Sequence, residues 1–217
     1  MQALSVRIFP VILLLLSTQI FAAEVNTKDP YELVKQVSNQ VFDRFQQDKS
    51  LITQDKNYIE VIVTDELMPY VDYKYTAYKV MGQYLRETND DQRDRFVEAF
   101  KSYLIATYAQ TLTEYSDQTL AFDPAVDFRQ EKFADVNMQI IENGRPPIKV
   151  QFKARRLKDG TWKVFDLVAE GVSLLASKQS EISNLIRQQG IESVITMLNE
   201  KAQQKIDNQT QTGGNPA

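Results

Sequence analysis

Hydrophobic residues recur at helical spacing through the first half of the chain. Leu33 and Val34 stand together, and Val37, Val41 and Phe45 follow at intervals of three and four, the stripe of an amphipathic helix. Asp29-Pro30 stands just ahead of it: an N-cap carboxylate, then a proline at the first helical position, where its missing N–H costs nothing. The pattern predicts a second helix over 58–68, stopped by Pro69, and a third near 75–85, where Gly82 permits close packing or a bend. A fourth begins after Thr88-Asn89, with Asn89 and Gln92 spaced as a capping box.

From about Gln118 the period changes to two. Val136, Met138 and Ile140 alternate with polar neighbours, as do Val150, Phe152 and Ala154, and then Trp162, Val164 and Val168. Asn143-Gly144 and Asp159-Gly160 fall between these runs and supply the positive φ of hairpin turns. An antiparallel meander of about four strands is expected. Helical spacing then returns from Leu174 to Gln188, stops at Gly190 and resumes from Ile191 to Gln204. The arrangement predicts one α+β domain over residues 24–206, followed by a polar tail, 207–217, expected to be disordered.

The first residues, 1–23, break this scheme. One positive charge, Arg7, precedes an apolar run from Ile8 to Leu16, and the small residues Ala22 and Ala23 precede the first acid, Glu24. That is the order of a secretory signal peptide, with an apolar run shorter than the ~20 residues of a membrane span. Cysteine is absent, so no disulfide framework supports the fold; export without disulfides fits a bacterial periplasm. Histidine is absent as well, which removes the usual general base and the commonest metal ligand. The net charge of −4 argues against nucleic acid as a partner.

Two features invite chemistry. Gly171-Val172-Ser173 opens like a nucleophile elbow, but Leu175 stands where the second glycine belongs and no histidine exists to activate the serine; Ser173 reads better as a helix cap. Asp65-Glu66 and Asp90-Asp91 read as helix-terminal charges. The aromatic helix is less easily placed. Phe96, Phe100, Tyr103, Leu104, Thr107, Tyr108 and Tyr115 fall within roughly 140° of one face at about 100° per residue, with Ile105 and Leu112 outside it. Such a face serves a solid core or the wall of a cavity, and periodicity does not choose between them.

The segments ELMPYVDYKYTAYKVMGQYLRE, QRDRFVEAFKSYLIATYAQTLTEY, NGRPP and WKVFDLVAEGVSLLASKQSEI, in this order, resemble the MlaC family, the phospholipid-binding proteins of toluene tolerance. The resemblance runs from Asp29-Pro30-Tyr31 to about Ile206. It implies a curved four-stranded sheet with an apolar cavity between sheet and helices, holding a phospholipid's acyl chains as cargo, with no cofactor and no catalysis. It also implies two partners, an outer-membrane MlaA–porin complex and the inner-membrane MlaFEDB ABC transporter, reached through MlaD. A shuttle of this kind is most simply a monomer. On that reading the inward faces nominate Val71, Met81, Phe100, Leu104, Tyr108, Val150, Phe152, Val164, Val168, Val172 and Leu175 as lining, with Trp162 nearer a rim. Each is equally consistent with plain core. Lys149, Lys153 and Arg155 share the other face of one strand and, with Arg93 and Arg145, are candidates for partner docking or a solvated surface. The competing readings are a carboxylate-based enzyme on a pocketed scaffold and a chaperone or interaction module.

Overall fold

The computed structural model describes residues 24–113 and 118–204. The signal-peptide reading, Tyr115 and the tail lie outside the described residues. Helix α1, Pro30–Gln47, starts as its sequence dictates: the Asp29 carboxylate accepts the N–H groups of Tyr31 and Glu32, and Pro30 follows it. A short α2, Lys49–Gln54, turns the chain into α3, Tyr58–Ile62. The helix expected to reach Met68 instead widens into a π turn, Val63–Leu67, and closes as a 3-10 turn, Met68–Tyr70, around Pro69. Proline has no N–H to donate to an α-helical ladder, and the changed turn accommodates that lack. Helix α4, Tyr73–Met81, ends at Gly82, whose φ of 57° breaks the helix into a 3-10 turn.

Helix α5, Asp90–Leu112, carries the complete capping box: Asn89 accepts from the Gln92 N–H while the Gln92 side chain accepts from the Asn89 N–H. Asp90 and Asp91 occupy its first turn, where carboxylates complement the helix dipole. The last helix, α6, runs Leu174–Ala202 with a break at Gly190 (φ 79°, ψ 163°), a conformation open essentially to glycine alone. The expected stop is thus a kink between two helical arms.

Strands β1, Thr119–Phe122; β2, Phe133–Ile141; β3, Ile148–Arg156; β4, Trp162–Ala169; and β5, Val172–Ser173, form one antiparallel meander in chain order. The sheet thus has one strand more than the expected four, and its two outer strands are short, of four and two residues. Gly144 and Gly160 take positive φ in the hairpins, as their dipeptides predict. Beyond β5 the β4 edge is covered by Val71, which bridges to Val164, and by the Asp72 N–H donating to the Val164 carbonyl.

One irregularity decides which side chains share a face. Ala154 pairs with Val164 and Lys153 with Asp166, so Phe165 is an extra residue in β4, a β-bulge. Side chains on β4 change parity across it. Val150 and Phe152 lie opposite Ala169 and Leu167, whereas Val168 lies opposite Gln151. A bulge also sharpens the local twist and bends the strand, which curves the sheet.

The interior consists of three apolar clusters. Helices α4, α5 and α6 enclose the first around Met81, Phe96, Phe100 and Leu198. The second half of α1 joins α3, the π turn and Ala109 in the second. The first half of α1, with Val25, packs on Ala134, Ala154 and Trp162 of the sheet in the third.

Candidate functional site

The three clusters meet around side chains that none of them fully encloses. Tyr73 and Tyr108 pack against both the three-helix cluster and the α1–α3 cluster, and Leu67 packs against both the α1–α3 cluster and the sheet cluster; all three remain partly accessible. Ile105, Leu112 and Leu175 add further half-buried apolar surface to these clusters, and Val164 does so from the sheet. Partly accessible apolar side chains between packed clusters are consistent with an apolar cavity at their junction.

Tyr108 packs against two of the clusters. Protein surrounds this residue closely, and its hydroxyl is pushed up to about 12, first by burial and then by the neighbouring Asp166 carboxylate. The same side chain keeps accessible surface. In the unfolded chain this tyrosine ionises near 10; folded, it holds its proton to about 12. Between those values the unfolded chain has released a proton that the folded one retains, so stability falls as pH rises through this window and is untouched below it. Denaturation midpoints measured from pH 9 to 12 (, about one-unit steps) should fall more steeply for the wild type than for Tyr108→Phe. Equal slopes would place Tyr108 in water.

The nominated lining residues divide in the structure. Met81, Phe100 and Leu104 sit inside the three-helix cluster, almost fully enclosed. Trp162 is 1% exposed beneath Phe128 and Arg156, so it lies in the sheet cluster and not at a rim. Val71 is buried in the α1–α3 cluster. Tyr108 and Leu175 are half-buried at the margin of the three-helix cluster; Val164 borders the sheet cluster. Val150 and Phe152 share a sheet face, buried and half-buried respectively. The bulge puts Val168 on the other face, and Val172 is 57% exposed at the β4–β5 turn. Leu167, opposite Phe152, takes the position on the inner face that strict alternation assigns to Val168.

The basic residues divide as well. Arg93 donates to the Leu85 carbonyl and to Asp90 at 2.5 Å, fastening the start of α5. Arg155 donates to Asp72 at 2.6 Å and lies 4.2 Å from the Tyr75 ring centre, which ties the sheet to the N-cap of α4. Lys153 lies between Asp135 and Asp166 across the strands. Lys149 and Arg145 stand exposed at the β2–β3 end, Arg145 3.3 Å from Glu142. Ser173 is a helix cap: its hydroxyl donates to Asp166 at 2.7 Å and accepts the Ala176 N–H. Asp166 also accepts the Leu175 N–H at 2.9 Å, so both its oxygens are engaged in starting α6. No cluster of three metal-ligating side chains occurs among the described residues. A separate surface indentation of about 290 Å³, bordered by Tyr31, Val126, Phe128 and Asp135, lies beside the β1–β2 connection, away from the junction of the clusters.

Comparison with known proteins gives a consistent result. The model of the MlaC protein family matches residues 35–200. The chain is 36% identical over 179 residues to the intermembrane phospholipid transport system binding protein MlaC of Haemophilus influenzae, covering 82% of this chain and 84% of that protein. It is 24% identical over 167 residues to the toluene tolerance protein ttg2D of Pseudomonas putida, covering 76% and 77%. Among solved structures it is similar to the phospholipid-binding protein of Ralstonia solanacearum in complex with a phospholipid. There the TM-score is 0.72 at 23% identity, over 80% of this chain and 97% of that one, a likeness of fold.

Proposed function

The chain belongs to the MlaC family, and from that premise we propose that it is a carrier of phospholipid between the membranes that bound the bacterial periplasm. The observation that supports this reading is the half-buried apolar surface where the three clusters meet around Tyr108, Tyr73 and Leu67. The Haemophilus relative is a binding protein of an intermembrane phospholipid transport system, and the Ralstonia protein of the same fold holds a phospholipid.

The physics of the cargo explains why such a protein needs a hollow and no catalytic group. Each methylene moved into water costs about 0.8 kcal/mol, so two acyl chains with about 30 methylenes together cost roughly 24 kcal/mol. That is beyond the ceiling of about 18 to 21 kcal/mol for non-covalent affinity. A carrier therefore works by resembling the bilayer interior, so that transfer in either direction is nearly level. The donor and acceptor would be an outer-membrane MlaA–porin complex and an inner-membrane MlaFEDB transporter engaged through MlaD. Arg145 and Lys149, exposed at one end of the sheet, are the docking residues that this reading favours.

Organic extracts of the protein purified from a bacterial periplasm, examined by mass spectrometry, test the proposal. Diacyl phospholipid at about one per chain is the expected result. A lipid-free protein that also takes up nothing from phospholipid vesicles would overturn it.

A further inference from the structure

An aromatic and cationic strip crosses the sheet face opposite the one that carries Ala134, Met138, Val150 and Ala154. The bulge at Phe165 builds it. Phe165 lies edge-on to Phe133 of β2, ring centres 6.0 Å apart, and to Tyr75 of α4 at 5.3 Å. Arg155 stands 4.2 Å from the Tyr75 ring centre and Lys79 Nζ 5.4 Å from it. In the sheet register Arg155 has Phe133 on one side and Lys163 on the other. The Thr76 hydroxyl donates to the Phe165 carbonyl at 2.9 Å, which fixes α4 to the bulge. Phe133 is 57% exposed, Lys79 is exposed and the rest are half-buried. A phenylalanine left this open beside two other rings is a contiguous patch, unlike the single apolar side chains that any surface carries.

The chain carries a net charge of −4, yet its charges are unevenly used along this strip. Arg155 is paired with Asp72, and Lys153, further along the same face, has Asp135 and Asp166 across the strands. Lys79 and Lys163 form no ion pair among the described residues. Rings and an arginine at the centre, with unpaired cations at the edge, are the composition of a protein–protein contact, and the cations select carboxylates on the other side. An anionic bilayer fits less well. It repels a net acidic chain at long range, whereas a protein has only to present its carboxylates locally.

We propose that this strip docks an acidic protein surface, with Phe133 seated on an apolar side chain of the partner and Lys79 and Lys163 paired with carboxylates around it. It lies at the opposite end of β3 from Lys149, so it is a separate surface from the hairpin end of the sheet. The proposal rests on the carrier reading for the source of the partner, one of the membrane complexes between which the cargo passes.

The probes are the periplasmic domain of MlaD and the MlaA–porin complex from the same bacterium. Binding of the protein purified from the periplasm is measured to each by biolayer interferometry, at about 50 and 300 mM salt. Two strip variants, the double Lys79→Glu/Lys163→Glu and the single Phe133→Ser, are compared with the double Lys49→Glu/Lys56→Glu, which makes the same charge change around α2. Both strip variants should weaken binding to at least one probe by about tenfold or more. The control should stay within about twofold of the wild type, whose own binding should weaken at the higher salt. Undiminished binding by the strip variants, or a wild type that binds neither probe, overturns the proposal. Adhesion to vesicles of phosphatidylethanolamine and phosphatidylglycerol that is lost in place of protein binding would assign the strip to a bilayer and overturn it too. A wild-type dimer that the strip variants convert to monomer would assign it to a second copy of the chain, with the same consequence. Lipid uptake from the same vesicles, measured in parallel, should be unchanged in every variant. A wild type that docks and takes up no lipid sinks the carrier reading alone, so the two failures are distinguishable. The charge variant and the ring variant each decide the matter, so poor folding of one leaves the other.

Discussion

Phe152→Glu should lose lipid loading almost completely while keeping the wild-type circular dichroism spectrum. Phe152 lies in a row across the sheet with Val136 on β2 and Leu167 on β4, on the face that carries the buried Ala134, Met138, Val150 and Ala154. It is itself half-buried, so its ring keeps accessible surface. A carboxylate here can turn toward water in the empty protein, which limits the damage to the fold. Once acyl chains arrive it must either be buried uncompensated or hold water in the cavity, and both cost several kcal/mol. A cost of about 3 kcal/mol lowers occupancy by about a hundredfold. Val168→Glu supplies the contrast: Val168 lies opposite Gln151 and Ser173 on the other face, and its glutamate variant should load within about twofold of the wild type. Lipid per chain in organic extracts of the three proteins reads the result. Equal loss in both variants would mean that the bulge does not separate the faces as described.

That contrast also shows what the amino-acid sequence could and could not reveal. The caps were legible because they are local: Asp29 with Pro30, Asn89 with Gln92 and Ser173 before α6 each act within four residues. The α+β order and the hairpins were legible for the same reason. The bulge was not. In Trp162-Lys163-Val164-Phe165-Asp166-Leu167-Val168 a valine occurs on either side of Phe165 at the spacing that unbroken alternation predicts, and only the pairing partner on β3 shows that parity has changed. The fifth strand was not legible because the two residues of β5 give no measurable period. The π turn before Pro69 was missed because widening a helical turn leaves the apolar spacing nearly intact.

The aromatic helix poses the harder case, and its two halves should respond to truncation in different ways. Phe100 is 1% exposed, stacked 6.0 Å from Phe96 and enclosed by α4 and α6. Phe100→Ala removes contacts that nothing nearby can replace, and should cost about 3–5 kcal/mol of folding stability. Ile105 lies only five positions further along but outside the aromatic stripe, in the half-buried fringe of the α1–α3 cluster. Ile105→Ala enlarges a space instead of creating one, and should cost the empty protein about 1 kcal/mol or less, near the lower end for a lost aliphatic side chain. Its larger effect should fall on lipid retention, because the bound chains lose a wall. Urea unfolding of both variants, empty and lipid-loaded, separates the two roles. Loading should restore stability to Ile105→Ala less fully than to the wild type, since a ligand stabilises in proportion to its affinity, while Phe100→Ala should show the full wild-type increment on top of its lower base. Were the two empty variants destabilised alike, α5 would be packed uniformly along its length. The aromatic face would then be ordinary core from end to end, and the hollow would have to lie elsewhere. Unequal costs set the Phe100 side of α5, enclosed by α4 and α6, apart from the side that carries the half-buried Ile105. The first side then holds the fold together, and the second is the one left to meet the cargo.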